Sequence, residues 1–208
     1  MNRPSQQLWN ANLDLAEACL RHPFVQGIAS GDLPRASFTF YVGQDAYFLN
    51  AFGRAYAVAL AKSPDQKAMG QFRRLLDDVY RELELHSQYA EQWGVDLDPK
   101  PAEATLAYTD FLLRVAWGES ISHTLAAMIP CMRLYAYLGR SLLPVLDPES
   151  PYKDWVTTYG SNDFENSART VEQLLDEYGD GSPVLAELYR RAMQLEYSFF
   201  DQAWSMAV

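Results

Sequence analysis

An all-α helical bundle is the fold this sequence predicts, and three observations carry the reading. Apolar residues recur at three- and four-residue steps along several long stretches. Glycine and proline gather in short clusters between those stretches, where they act as punctuation. Clean two-residue alternation bounded by Asn-Gly or Asp-Gly turns, the signature of strands, is missing. With 208 residues, 49% of them hydrophobic, the chain can bury a full core without disulfide or metal staples, and it reads as one domain over 1–208.

The elements follow in order. A first helix is expected over 6–21, a short one over 24–29 after His22-Pro23, and a long aromatic-rich one over 34–61. The pattern is clearest over 65–93. There Phe72, Leu75, Leu76, Val79, Tyr80, Leu83, Tyr89 and Ala90 repeat at helical steps, and Arg73, Arg74, Asp77, Asp78 and Arg81 fill the opposite side. Ser63 or Asp65 can cap its start by accepting from first-turn N–H groups, with Pro64 near the first turn. Gly94 can end it, because glycine takes the left-handed conformation at little cost. Further helices are expected over 102–117, 120–143, 163–178 and 183–206. Pro130 falls inside the 120–143 helix, where it removes a backbone hydrogen bond and should kink the rod. Long helices joined by short loops make a bundle.

Charge and composition narrow the function classes. The net charge is -10. Such a surface repels phosphate backbones, and Arg73-Arg74 and Arg190-Arg191 are isolated pairs among acids, so no nucleic-acid partner is expected. No apolar run reaches the roughly 20 residues that span a bilayer, so no membrane partner is expected either. Residues 1–8 are polar and lack a signal-peptide core. The two cysteines, Cys19 and Cys131, form neither a disulfide framework nor a metal spacing. A reducing cytoplasm fits this usage.

Three residues stand out chemically. Cys131 directly follows Pro130, and a kinked helix can turn its side chain toward a cavity. A nucleophilic thiol needs a partner to take its proton. His123 is eight residues away and rotated off that face, which leaves a distant carboxylate. The residues alone also fit a buried core thiol, a common fate for free cysteine; Cys19, in the amphipathic first helix, reads as core. Asp45 sits among Phe38, Phe40, Tyr41, Tyr47, Phe48, Phe52 and Tyr56. Aromatic walls plus one carboxylate suit a flat hydrogen-bonding heterocycle, although Asp45 could instead face water. Glu196 stands in a largely apolar segment, where an inward carboxylate could act as general acid and base, or could simply be exposed. Tyr108 and Tyr159 lie near expected helix ends. Glu82 and His86, four apart, read as a surface helix pair. A di-iron bundle would need Glu-x-x-His pairs, and His22, His86 and His123 supply none, so no metal site is expected.

Taken together, the ordered fragments resemble the TenA/thiaminase II family. They are His22-Pro23-Phe24-Val25, Gly31-Asp32-Leu33, Phe38-x-x-Tyr41-Val42-x-Gln44-Asp45, Ala107-Tyr108-Thr109, Pro130-Cys131-x-x-x-Tyr135, Trp155-x-x-x-Tyr159-Gly160 and Glu196-x-x-Phe199-Phe200. The resemblance runs through nearly the whole chain. It implies a bundle similar to haem oxygenase, a homotetramer, no cofactor, and hydrolysis of aminomethylpyrimidines derived from thiamin, or of thiamin itself, to hydroxymethylpyrimidine. Carried over by motif, Cys131 becomes the nucleophile, Glu196 the proton shuttle, and Asp45 the group that holds the pyrimidine edge. Tyr47, Phe48, Tyr108, Tyr135, Tyr159 and Phe199 become the pocket lining. Many relatives carry tyrosine where Phe48 stands and tryptophan where Phe200 stands, which bears on substrate preference. A branch of the family lacks the cysteine, and Cys131 puts this chain outside it. Two other functions compete: a haem or di-iron oxidoreductase using His22 or His86 as ligand, and a non-catalytic pyrimidine-binding regulator.

Overall fold

A computed structural model of the chain describes residues 3–206, and for Leu85 and Tyr89 the backbone alone. Its helices are α1 (Pro4–Asn10), α2 (Leu13–Leu20), α3 (Pro23–Ser30), α4 (Arg35–Ala61), α5 (Gln66–Trp93), α6 (Glu103–Gly118), α7 (Ile121–Leu142), α8 (Lys153–Tyr159), α9 (Asn162–Tyr178) and α10 (Val184–Ser205). No strand occurs among the described residues. None of the described helices is long and apolar enough to cross a membrane.

The caps follow the sequence closely. Asp65 accepts from the Ala68 N–H at 2.8 Å and starts α5. Gly94 closes it at φ 69°, in the left-handed region. Ser120 and Ser161 cap α7 and α9 in the same way. Lys62, at the end of α4, donates to the carbonyls of Ala116, Trp117 and Glu119 at 2.7–2.9 Å. One ammonium thereby satisfies the exposed carbonyl end of α6.

α4 packs against α5 and α6, α7 packs against α8 and α9, and α10 lies against both α4 and α7. Phe24, Phe38, Tyr41, Phe52, Tyr56 and Phe72 are among the core side chains with almost no exposure. Each such burial contributes roughly 1.5–3 kcal/mol relative to leaving the side chain in water. Arg133 joins α7 to α9: its guanidinium donates to both oxygens of Glu172 at 2.8 Å and to Glu165 at 2.9 Å.

Three local expectations are corrected. The helix expected over 6–21 is split, because Asn12 leaves the helical region and turns its amide back onto the Leu8 carbonyl at 2.9 Å. The segment 153–159 forms α8, which is too short to show a period in sequence. Tyr80 is 63% exposed and does not belong to the buried stripe of α5. Tyr89, assigned to that stripe from sequence, has a side chain outside the described residues.

Candidate active site

Three helices bring the central pair together. α7 supplies Cys131, one step past Pro130, whose missing N–H leaves a carbonyl of the preceding turn without its helical donor. α10 supplies Glu196, which is buried and close enough to the Cys131 thiol for each to shift the other's protonation. α6 supplies Tyr108, whose hydroxyl donates to Glu196 Oε1 at 2.6 Å. Glu196 is thus a buried carboxylate beside Cys131, brought there from 65 residues further along the chain.

Burial governs the charge of this pair. It pushes the Cys131 thiol well above its ordinary value, and the nearby Glu196, Glu82 and Asp45 carboxylates push it further. Burial also raises Glu196 to about 8; the Tyr108 hydroxyl pulls the other way, and the Asp45 charge adds to the rise. Near neutral pH the site thus holds a thiol beside a mostly neutral carboxyl. Such a carboxyl can donate a proton from one oxygen while accepting one on the other.

Asp45, inward on α4 and 4% exposed, meets a partner that sequence reasoning had turned the wrong way. His86 of α5 is 2% exposed, and its Nε2 lies 2.8 Å from Asp45 Oδ2. Its Nδ1 lies 2.8 Å from the Glu82 backbone carbonyl, which can only accept, so Nδ1 carries a proton. Burial disfavours the imidazolium, but the hydrogen bond and charge of Asp45 outweigh it, and His86 is raised to about 8. Glu82 and His86 are therefore not a surface pair. The Glu82 carboxylate accepts from the Tyr159 hydroxyl at 2.5 Å, and burial and the Asp45 charge push it up to about 7. The missed signal was the spacing 72, 75, 79, 82, 86, which continues the buried stripe of α5 through two polar residues.

Aromatic rings close the volume. Phe48 lies against Tyr108 at 4.8 Å and Phe199 at 5.9 Å between ring centres, and Tyr135 against Tyr159 at 4.8 Å. Trp155 Nε1 donates to the Tyr41 hydroxyl at 3.2 Å, which donates on to Tyr135 at 3.1 Å. Tyr47 does not join this lining. It sits two residues from Asp45, about 200° round the helix, and faces an outer groove with Asn50, Arg54 and Asp110. Tyr159 reaches the site because Gly139 of α7 lets the end of α8 come close: a Cβ there would stand 2.3 Å from Gly160 N and 2.4 Å from the Tyr159 carbonyl carbon.

The other histidines have different tasks. His22 caps α3, its Nδ1 accepting from the Phe24 N–H at 3.2 Å. His123 lies between Glu119 and Asp180. With Nδ1 and Nε2 both engaged, His86 could ligate haem or iron only by giving up a hydrogen bond.

An all-α bundle that buries a cysteine–glutamate pair beside an aspartate–histidine pair, within tyrosine and phenylalanine walls, has the form of an enzyme pocket for a flat polar ring. The model of the TENA/THI-4/PQQC family matches residues 9–206, and the chain belongs to that family. It is similar to the aminopyrimidine aminohydrolase of Halalkalibacterium halodurans, 33% identical over 201 residues that cover 91% of this chain and 90% of that one. It is also 34% identical, over 86% of its length, to the bifunctional mitochondrial TH2 protein of Arabidopsis thaliana, of which it spans only 33%. Among solved structures, the TenA homologue of P. horikoshii OT3 matches with a TM-score of 0.91 at 26% identity, covering 99% of this chain and all of that one.

Proposed function

We propose that this protein is an aminopyrimidine aminohydrolase of the thiaminase II type, which converts aminomethylpyrimidines, and thiamin itself, to hydroxymethylpyrimidine in thiamin salvage. The observation that carries the reading is the Cys131–Glu196–Tyr108 chain, buried opposite Asp45. The names of the aminohydrolase relatives support the same reaction class.

In this reaction Asp45, paired with His86, holds the amidine-like edge of the pyrimidine, accepting from its donors. Cys131 adds to an electron-poor ring carbon. Its proton passes to Glu196 while Glu196 delivers one to the ring, so sulfur and hydrogen add across one ring double bond. With conjugation broken, the amine leaves from the exocyclic methylene as its carbon–nitrogen bond breaks. Water adds to that methylene, Cys131 is expelled, and its proton returns through Glu196. The sum is aminomethylpyrimidine plus water giving hydroxymethylpyrimidine plus ammonia; with cationic thiamin the neutral thiazole leaves in place of ammonia and one proton is released. Phe48 and Phe199 wall the ring, and Tyr135 and Tyr159 supply hydroxyl contacts. The same reading includes a homotetramer in the cytoplasm, which sedimentation and fractionation would test.

Turnover of an aminomethylpyrimidine by wild type, Cys131→Ser and Glu196→Gln is the direct test. Each substitution is expected to lower kcat by about 100- to 10,000-fold, with the far-UV spectrum unchanged. Wild-type-like turnover in either folded variant would remove the role given to that residue.

A further inference from the structure

One volume stays unused by this chemistry. A cavity of about 680 Å³ lies among α5, α7, α8 and α9, walled in part by Tyr56, Asp78, Glu82, Met132 and Phe164. Glu82 in its wall accepts from Tyr159, whose ring lies against Tyr135, so the cavity adjoins the site. Its two inner carboxylates differ. Asp78 is already engaged, accepting from the Ser167 hydroxyl at 2.6 Å and pairing with Arg81. Glu82 accepts from the Tyr159 hydroxyl and feels the charge of His86, but no Lys or Arg pairs with it among the described residues.

The second observation is Tyr56. Its side chain is fully buried, it lines this cavity, and its hydroxyl has no partner. A buried hydroxyl left unpaired costs about 1–3 kcal/mol, so its persistence in a cavity wall points to a ligand. It lies near the chemistry as well: burial raises it, and the Cys131, Asp78 and Glu82 charges add to the rise.

We propose that this cavity is the subsite for the substrate's departing arm, which is cationic until its carbon–nitrogen bond breaks, with the Glu82 carboxylate as counter-ion and the Tyr56 hydroxyl as a further polar contact. The inference rests on the pyrimidine hydrolase reading and extends it to the arm that departs. Both substrate classes carry positive charge on that arm, as a protonated aminomethyl group or a thiazolium ring. The hydroxymethyl product carries none. A carboxylate half withdrawn from water holds a cation more strongly than a neutral hydroxyl, so the subsite retains substrate and lets product go. Glu82, raised to about 7, gives up its proton readily when a cation arrives.

Binding without turnover tests this. Aminomethylpyrimidine and hydroxymethylpyrimidine are titrated into Cys131→Ser and into Cys131→Ser with Glu82→Gln. Glu82→Gln is expected to weaken the aminomethyl compound by about 10- to 100-fold and to leave the hydroxymethyl compound within about threefold. Tyr56→Phe is expected to act in the same direction and more weakly. Equal weakening of both compounds, or of neither, overturns the subsite and leaves the hydrolase reading intact. If Glu82→Gln does not fold, Cys131→Ser alone decides: the cationic compound binds about tenfold or more tighter, or the subsite is wrong. Failure of Cys131→Ser to bind either pyrimidine, together with no wild-type turnover, overturns both readings.

Discussion

At the scale of the residue, the Asp45–His86 pair decides how the site is held. Two groups taken out of water at 2.8 Å survive only if each has its partner. His86→Ala leaves Asp45 buried beside the Glu82 and Glu196 carboxylates, and the expected loss is about 3–5 kcal/mol, read by urea denaturation. Asp45→Asn in the same background should cost much less than it does alone, and additive losses in that double-mutant cycle would sink the pairing. Asp45, Cys131 and Glu196 could be picked out from sequence because each is a reactive group in an apolar or aromatic stretch. His86 and Glu82 could not, because two polar residues on a helix look like its wet side until the faces are phased. Their places 82 and 86 continue the rhythm of Phe72, Leu75 and Val79, while Tyr80, the more apolar neighbour, points outward. Tyr47 failed for the complementary reason: it shared a motif with Asp45 but not a face.

At the scale of the element, α8 shows how a short helix is held where the sequence barely marks it. It spans Lys153–Tyr159, and its C-terminal end lies against α7 where Gly139 meets Gly160. Gly139→Ala would put a methyl into the backbone of Tyr159 and Gly160, which cannot swing aside as a flexible side chain can. A cost of about 1–3 kcal/mol is expected from such overpacking, measured by denaturation, together with a loss of turnover because Tyr159 moves off Glu82. Unchanged stability and turnover would mean that α7 and α8 are not so tightly seated. The long helices announced themselves through period and caps: Asp65 and Gly94 bracket α5 as the sequence indicates. The break at Asn12 was not legible, because asparagine is tolerated within helices and only its bond to Leu8 makes the break.

At the scale of the whole molecule, the buried acids set how stability responds to pH. Glu82 and Glu196 rise from an ordinary 4.5 to about 7 and about 8, and His86 from 6.5 to about 8. All three bind protons more tightly folded than unfolded. Their contribution is complete below the unfolded values and is lost as pH rises through the folded ones. Glu165, lowered by Arg133 and Arg169 against the opposing effect of burial, acts in the other direction and is lost on acidification. The melting temperature should therefore peak near pH 4.5 and fall from there to about pH 8. Glu196→Gln should flatten that fall, since glutamine resembles the protonated acid. A melting temperature that climbs over the same range would contradict these assignments. The net charge of -10 adds self-repulsion on the alkaline side.

The proton retained on Cys131 has a bearing on chemical durability. Peroxides and alkylating agents attack the thiolate and largely spare the thiol. Buried beside three acids, Cys131 keeps its proton and stands as a thiol. On the proposed mechanism its reactivity arises only when a ring lies against it to receive both sulfur and proton. If Cys131 is the nucleophile proposed above, it is armed by its own substrate and is otherwise inert toward the oxidants that would destroy it.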